Sequence, residues 1–369
     1  MEELQQILSQ LRNAHNPEDV FGMPVQGMSD AEVNAEVKRT YMRLLQIADP
    51  DFYPTDEQAR QAAAQANALL HRFYEDARAK IADATYGRNV SRQASTSSDG
   101  TTISVGEREY RIESTLAQGD LSTIYSGTMT DSGRSGGAVV LKLATDPADN
   151  DLMQNELRVL RYLHTEPGVY AKHLPPVFDD LRTQDGRMGL ILGKVEGFDL
   201  NRVKQKYPDG IPQRHIIWVF RRLLSILGYA HSKGVIHGNV EPAHVLLSAS
   251  DHNIFLLDWA YSLYKPAAMG QGFRALNAQY SAPEVAEKKP PLPASDLYSA
   301  GKCMIFLLGG NIETDEMPTA VDERIQRFIK FFVRQSAVQR PQDAWEMYGR
   351  LDDLRQEVFG PHQFIEFQM

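Results

Sequence analysis

The stretch VIHGNVEPAHVLL, Val235–Leu247, decides how this chain reads. Apolar residues close both ends. Between them stand His237, Asn239, Glu241 and His244. An amide cannot take up a proton at neutral pH, so Asn239 cannot serve as a general base. Glu241 adds a negative charge close by. His244 could ligate a metal softer than magnesium, although a lone histidine is more often an ordinary hydrogen-bonded residue. A few residues on, LLDWA (Leu256–Ala260) supplies a carboxylate, Asp258.

Around this stretch lies a chain of 369 residues with a net charge of −9. That length suggests two domains. The apolar and charged fractions are those of a soluble globular protein. A mildly acidic chain gives no general reason to expect nucleic-acid binding. Cys303, the single cysteine, lies in the apolar run GKCMIFLL and reads as a small core residue. One cysteine forms no intrachain disulfide, which fits a reducing compartment. MEELQQILSQLR at the start is a charged amphipathic helix rather than a signal peptide, and no window is apolar enough to span a bilayer. The expected location is cytoplasmic, with no membrane insertion.

The clearest break in composition is SRQASTSSDG, Ser91–Gly100, polar and without apolar period. It reads as a flexible linker or an ordered surface loop. Before it the pattern is helical. Leu4, Ile7, Leu8 and Leu11 share a helix face. Ser29 and Glu32 form a capping box, and Val33, Val37, Tyr41, Leu44 and Leu45 continue an apolar stripe. Pro54, Thr55 and Gln58 mark a further helix start, with an Ala-rich helix from Glu57 to about Lys80. NPEDVFGM (Asn16–Met23) and VKRTYMRL (Val37–Leu44) give this part a resemblance to a J domain. In that family a His-Pro-Asp triad follows the second helix and stimulates a chaperone ATPase. Here the triad falls on Asp49-Pro50-Asp51, so the histidine is lost. Co-chaperone activity is not expected, and Lys38, Arg39 and Arg43 are left as a partner-binding or merely solvated face.

After the break, several motifs stand in a fixed order. LAQGDLSTIYSG (Leu116–Gly127) has glycine-loop spacing but only Gly119 of its three glycine positions, with Asp120 at the tip. VVLK ends in Lys142 behind Val140, and NELRVLRYL carries Glu156 on a helix. GLILGKVEGFDL follows, then the opening stretch, LLDWA, YSAPE (Tyr280–Glu284), SDLYSAG (Ser295–Gly301) and VQRPQDAW with Arg340. The ordered set resembles the protein-kinase family over residues 102–361. The resemblance implies an α+β bilobal fold, with an N-lobe β-sheet plus helix and a mostly helical C-lobe. It places Lys142 on the α- and β-phosphates of ATP and makes Glu156 its ion-pair partner. Val140 and Leu246 would line the adenine site, Gly193 and Val195 would offer backbone groups to adenine, and Leu192 would stand at the gatekeeper position. Asp258 would hold Mg²⁺. Asp296 would tie down the loop that opened this section, and Arg340 would pair with Glu284.

Within that resemblance Gly238 replaces an arginine and Asn239 the catalytic aspartate. Glu241 replaces a lysine that neutralises the γ-phosphate, and His244 an asparagine that holds a second metal. Asn277 stands where a threonine is usual. The resulting expectation is a domain order of 1–90 (J-like helical), 91–101 (Ser-rich linker), 102–361 (kinase-like) and a tail of 362–369. The functional expectation is a pseudokinase without enzymatic activity, acting as a scaffold or regulator of unidentified protein partners and binding ATP with Mg²⁺ weakly. Two alternatives stay open: an atypical ATP-using transferase of phosphoryl or nucleotidyl groups, and a chaperone adaptor working through the J-like part.

Overall fold

The computed structural model describes residues 2–14, 17–22, 24, 28–53, 56–82, 86, 101–106, 108–131, 134–165 and 170–369. The expected linker Ser91–Gly100 lies outside them, as do Pro54 and Thr55. The chain divides into two compact units. One is Met1–Asn150 with Leu181–Gly189; the other is Asp151–Asp180 with Leu190–Met369.

The first unit begins with helices α1 (Glu2–Asn13), α2 (Glu18–Phe21), α3 (Asp30–Ile47) and α4 (Glu57–Ala82). Leu4, Leu8 and Leu11 of α1, Val37 and Tyr41 of α3, and Leu70 and Phe73 of α4 share one core. Ala59, Ala63 and Ala66 are fully buried there, because small side chains let α4 lie close to its neighbours. The capping box of α3 forms as its sequence dictates: Ser29 Oγ accepts from Glu32 N–H and Glu32 returns the bond. At the start of α4 the carboxylate of Asp56 accepts from Ala59 N–H at 3.0 Å, a cap the sequence reading passed over.

Strands β1 (Thr101–Val105), β2 (Arg108–Gln118), β3 (Ser122–Asp131) and β4 (Arg134–Ala144) follow as an antiparallel meander. Two register shifts in the β2–β3 pair bend the sheet. Leu181–Gly189 brings the ends of β5 (Val177–Arg182) and β6 (Met188–Gly193) to this sheet, in the order β1-β2-β3-β4-β6-β5.

The second unit is mostly helical. It holds α5 (Asn150–Leu163) from its second residue, β7 (Phe198–Asp199), α6 (Leu200–Lys206), α7 (Gln213–Ser232), β8 (Val235–Ile236), β9 (Val245–Ser248), β10 (Asn253–Leu256), β11 (Leu263–Tyr264), α8 (Pro266–Met269), α9 (Pro283–Ala286), α10 (Pro293–Leu307), α11 (Glu323–Phe332) and α12 (Ala344–Phe359). Helix α7 is mostly apolar and buries most of its residues between Ile216 and Ala230, with Trp218, Arg221 and Arg222 half-buried. Helix α10 lies equally deep, with Cys303 fully enclosed and its thiol pushed up by burial. The small sheets β10-β9-β7 and β11-β8 carry the loops that follow. The expected tail is a strap. Phe367 is buried beside Tyr207, His215 and Trp218, and Tyr207 OH donates to Gln368 O at 2.6 Å. No helix among the described residues is long and apolar enough to cross a membrane.

Candidate active site

The opening stretch runs from β8 through a short 3₁₀ turn, Pro242–His244, into β9. Asp296, at the start of α10, holds its backbone: His237 N–H and Gly238 N–H each donate to one of its oxygens at 2.8 Å. His231, which the sequence reading missed, adds a third contact from Nε2 at 2.8 Å. Burial alone would push the Asp296 carboxyl up, but the hydrogen bonds from His231 and Gly238 hold it below the usual range. Gly238 has φ of 76°, a left-handed backbone that explains glycine where the family carries arginine.

His237 is completely enclosed. Its Nε2 donates to Leu257 O at 2.9 Å and its Nδ1 accepts from Asn239 N–H at 3.2 Å, so the neutral ring satisfies both nitrogens. Burial lowers its pKa from 6.5 to about 4. Both shifts act in one direction with pH. A buried neutral histidine gives stability that is complete above its unfolded pKa and declines as pH falls from about 6.5 toward about 4. The depressed Asp296 carboxyl adds a further loss at the acid end. Urea unfolding at pH 7.5 and pH 5 should therefore show a lower midpoint at pH 5 with an unchanged slope; equal midpoints would contradict this.

Asn239, Glu241, His244 and Asp258 come together, and His244 is the hub. Its Nδ1 donates to Asn239 O at 2.9 Å. Its Nε2 lies 3.3 Å from Glu241 Oε1 and 3.3 Å from Asp258 Oδ2. The other Glu241 oxygen accepts from Asn277 Nδ2. Asn277 is itself oriented, since its Oδ1 accepts from Gln279 N–H at 3.0 Å. Glu241 and Asn277, the residues standing for lysine and threonine, thus meet in a hydrogen bond. The sequence showed both changes but not their contact.

Asp258 sits at φ 60°, ψ 68°, a left-handed conformation rare outside glycine. The 3₁₀ turn Trp259–Tyr261 follows at once. Two residues of α5 fix that turn. Glu156 accepts from Trp259 N–H at 3.1 Å. Asn155, also missed in the sequence, donates to Ala260 O at 3.0 Å and Ser262 O at 2.8 Å. Trp259 packs edge-on to His237 at 4.6 Å, and both rings are fully buried. The remaining candidates have these places. Lys142 is buried on β4 opposite Ile124, and half-buried Val140 faces Ser126. Leu246 is half-buried on β9 and Val195 half-buried beyond β6. Gly193 N–H donates to Pro176 O at 2.8 Å, and a Cβ there would stand 2.4 Å from the Pro176 ring. That approach demands glycine. Gly119 N–H closes the β2–β3 turn on Ser122 O at 2.8 Å.

Among the described residues, no cluster of three or more His, Cys, Asp or Glu side chains is placed to hold a metal alone. A single strained carboxylate fits Mg²⁺, which takes one or two protein carboxylates and fills its shell with phosphate and water.

Residues 110–350 match the protein kinase domain family, so the chain belongs to the protein-kinase family. It is similar to serine/threonine-protein kinase F of Synechocystis sp., 28% identical over 155 residues, which cover 40% of this chain and 31% of that protein. It is also similar to casein kinase II subunit alpha' of Saccharomyces cerevisiae, 26% identical over 211 residues, 56% of this chain and 58% of that one. A third relative is serine/threonine-protein kinase PknA of Mycobacterium tuberculosis, 27% identical over 197 residues, 52% and 44% respectively. The chain spans less than two thirds of the length of each. These matches correct one expectation. A chain without enzymatic activity is not what the family and its kinase-named relatives point to; they point to a protein kinase. The physical reason lies in the loop itself. Asn239, Glu241 and His244 are replaced, yet the loop backbone is held and the charge of Glu241 is engaged.

Proposed function

We propose that this chain is an ATP-dependent phosphotransferase that delivers the γ-phosphoryl group to a hydroxyl of a protein substrate. The observation that carries the reading is Asp258, retained in a strained backbone conformation that Glu156 and Asn155 brace from α5. In this reading Lys142 holds the α- and β-phosphates, Gly193 and Val195 the adenine edge, and Asp258 the metal. Magnesium, when bound, supplies positive charge to the phosphate oxygens. Asn239 accepts a hydrogen bond from the acceptor hydroxyl and orients it, but takes no proton. Transfer can proceed because the phosphoryl transition state is loose and demands little deprotonation of the nucleophile; the proton ends on the product phosphate. Turnover is accordingly low. ATP binding is weak, since the loop keeps only Gly119 of its glycines.

The domain limits 1–90, 91–101, 102–361 and 362–369 belong to this proposal, with the first part a degenerate J-like module. Support for separating that module from chaperone work comes from Lys38, whose ammonium is bound to Asp149 at 3.0 Å within the chain.

Incubation with γ-labelled ATP, Mg²⁺ and a mixture of Ser/Thr-containing proteins tests the reading. Label should reach protein, and Asp258→Ala should reduce transfer by about 10²-fold or more, the scale of losing a preorganised electrostatic group. Transfer that survives Asp258→Ala unchanged would sink the assignment.

A further inference from the structure

The β2–β3 turn carries Asp120 at its tip, where the family covers phosphate with glycines. Alone, that carboxylate would repel a nucleotide. It is not alone. Tyr74 OH, on α4, donates to Asp120 Oδ1 at 3.0 Å, and Arg78 Nε lies 3.2 Å from the same oxygen. Arg78 Nη2 also donates to Gln118 O at 3.0 Å. From α3, Lys38 Nζ donates to Asp120 O at 3.1 Å and pairs with Asp149 beyond the end of β4. Three side chains from two helices therefore grip two positions of one turn, Gln118 and Asp120, at their backbone oxygens and at the Asp120 charge.

The grip is rigid at its source. The Tyr74 ring is buried and stacks on Tyr41 at 4.0 Å and 8°. Tyr41 OH in turn bonds His71 Nδ1 at 2.8 Å. Burial, then the Asp120 charge, push the Tyr74 phenol up, so its hydroxyl keeps the proton it donates. Arg78 is fixed on its far side by Glu75 at 3.1 Å. Among the described residues, the turn closes on itself through Gly119 N–H to Ser122 O and is joined to the end of β4 through Thr145 N–H to Leu121 O.

We infer that Tyr74, Arg78 and Lys38 are positioning residues for the phosphate-covering turn, so that the N-terminal helices set the affinity for ATP by holding Asp120 aside and neutralising it. The nucleotide part of this inference rests on the proposed function; the positional part does not. On this account the helical module is a working piece of the nucleotide site rather than an appended adaptor. It also explains how a loop with one glycine and an acidic tip can serve a kinase. Order that glycine-bound phosphate would otherwise impose is supplied in advance from outside the loop.

Two measurements on the full chain decide it. The first is hydrogen exchange without nucleotide. Tyr74→Phe/Arg78→Ala should speed exchange across Leu116–Ser126 about tenfold, the scale of one charge-assisted hydrogen bond, with α4 itself unchanged. Arg72→Ala, on the same helix, should leave the turn as it was. Exchange in the turn that stays within twofold of wild type would overturn the inference, and so would an equal rise throughout α4, which marks general loosening. The second is the steady-state constant for ATP. The double variant should raise KM for ATP about fivefold with kcat unchanged, a loss of ground-state binding. Adding Asp120→Asn should restore most of it, and Arg78→Lys should retain more affinity than Arg78→Ala. A fall in kcat without change in KM would contradict the assignment. If wild type turns over no ATP, the proposed function fails, and the exchange result alone decides whether the clamp exists.

Discussion

Asn239→Asp should raise kcat for phosphotransfer by about 10²-fold or more, within the range that a positioned general base contributes. KM for ATP should hardly change, because Asn239 acts on the acceptor and not on the nucleotide. The loop should tolerate the change. Its backbone is fixed by Asp296 through His237 N–H and Gly238 N–H, and His244 bonds the main-chain oxygen of residue 239, not its side chain. The variant exchanges a neutral amide for a carboxylate, which loses the amide donor, gains a negative charge and can take the acceptor's proton. Steady-state kinetics at saturating ATP give the answer. An unchanged kcat would mean that the side chain at this position does not meet the acceptor hydroxyl, and the role given to Asn239 would fall.

Arg340→Ala should cost about 3–5 kcal/mol of stability, the penalty for leaving a buried charge without its partner. Arg340 is 0% exposed and Glu284 5% at the side chain. The guanidinium forks onto the carboxylate, with Nη1 2.8 Å from Glu284 Oε1 and Nη2 on Oε2. Nη1 also donates to Ala294 O at 3.1 Å and Nη2 to Gln335 O at 3.2 Å, so three separate segments of the chain meet on one side chain. Burial pushes the Glu284 carboxyl up, but Arg340 and Ser295 more than offset it and keep it ionised. Removing arginine alone strands that carboxylate. Replacing both, as Arg340→Met/Glu284→Leu, should cost clearly less. Urea titration with a common slope measures both. A loss below about 1 kcal/mol for Arg340→Ala would show that water or a neighbour rescues Glu284.

The Arg340–Glu284 pair and the Asp296 tether were legible in the sequence because each belongs to a short motif whose order along the chain is fixed. The capping box at Ser29 was legible for a simpler reason: donor and acceptor are three residues apart. What stayed hidden depends on packing between distant segments. His231 meets Asp296 across 65 positions and Asn277 meets Glu241 across 36. Asn155 is masked by its neighbour Glu156, the residue the motif singles out. Asp120 read as a repulsive charge because nothing local balances it; Tyr74 stands 46 residues earlier, on a helix whose inward face looks like ordinary core. The terminal FIEF run is too short for periodicity to declare that Phe367 is buried. The reading of the chain as a non-enzyme had a different origin. The replaced groups Asn239, Glu241 and His244 together suggested lost chemistry, and it is the kinase family match with its kinase-named relatives that overturns that expectation; the held backbone and the Glu241–Asn277 contact become visible only in three dimensions.

The most direct test follows label from ATP into protein, with α-labelled and γ-labelled ATP side by side and Mg²⁺ present. The account predicts transfer of the γ-label alone, onto serine or threonine. Transfer of the α-label, or of neither label, would contradict it.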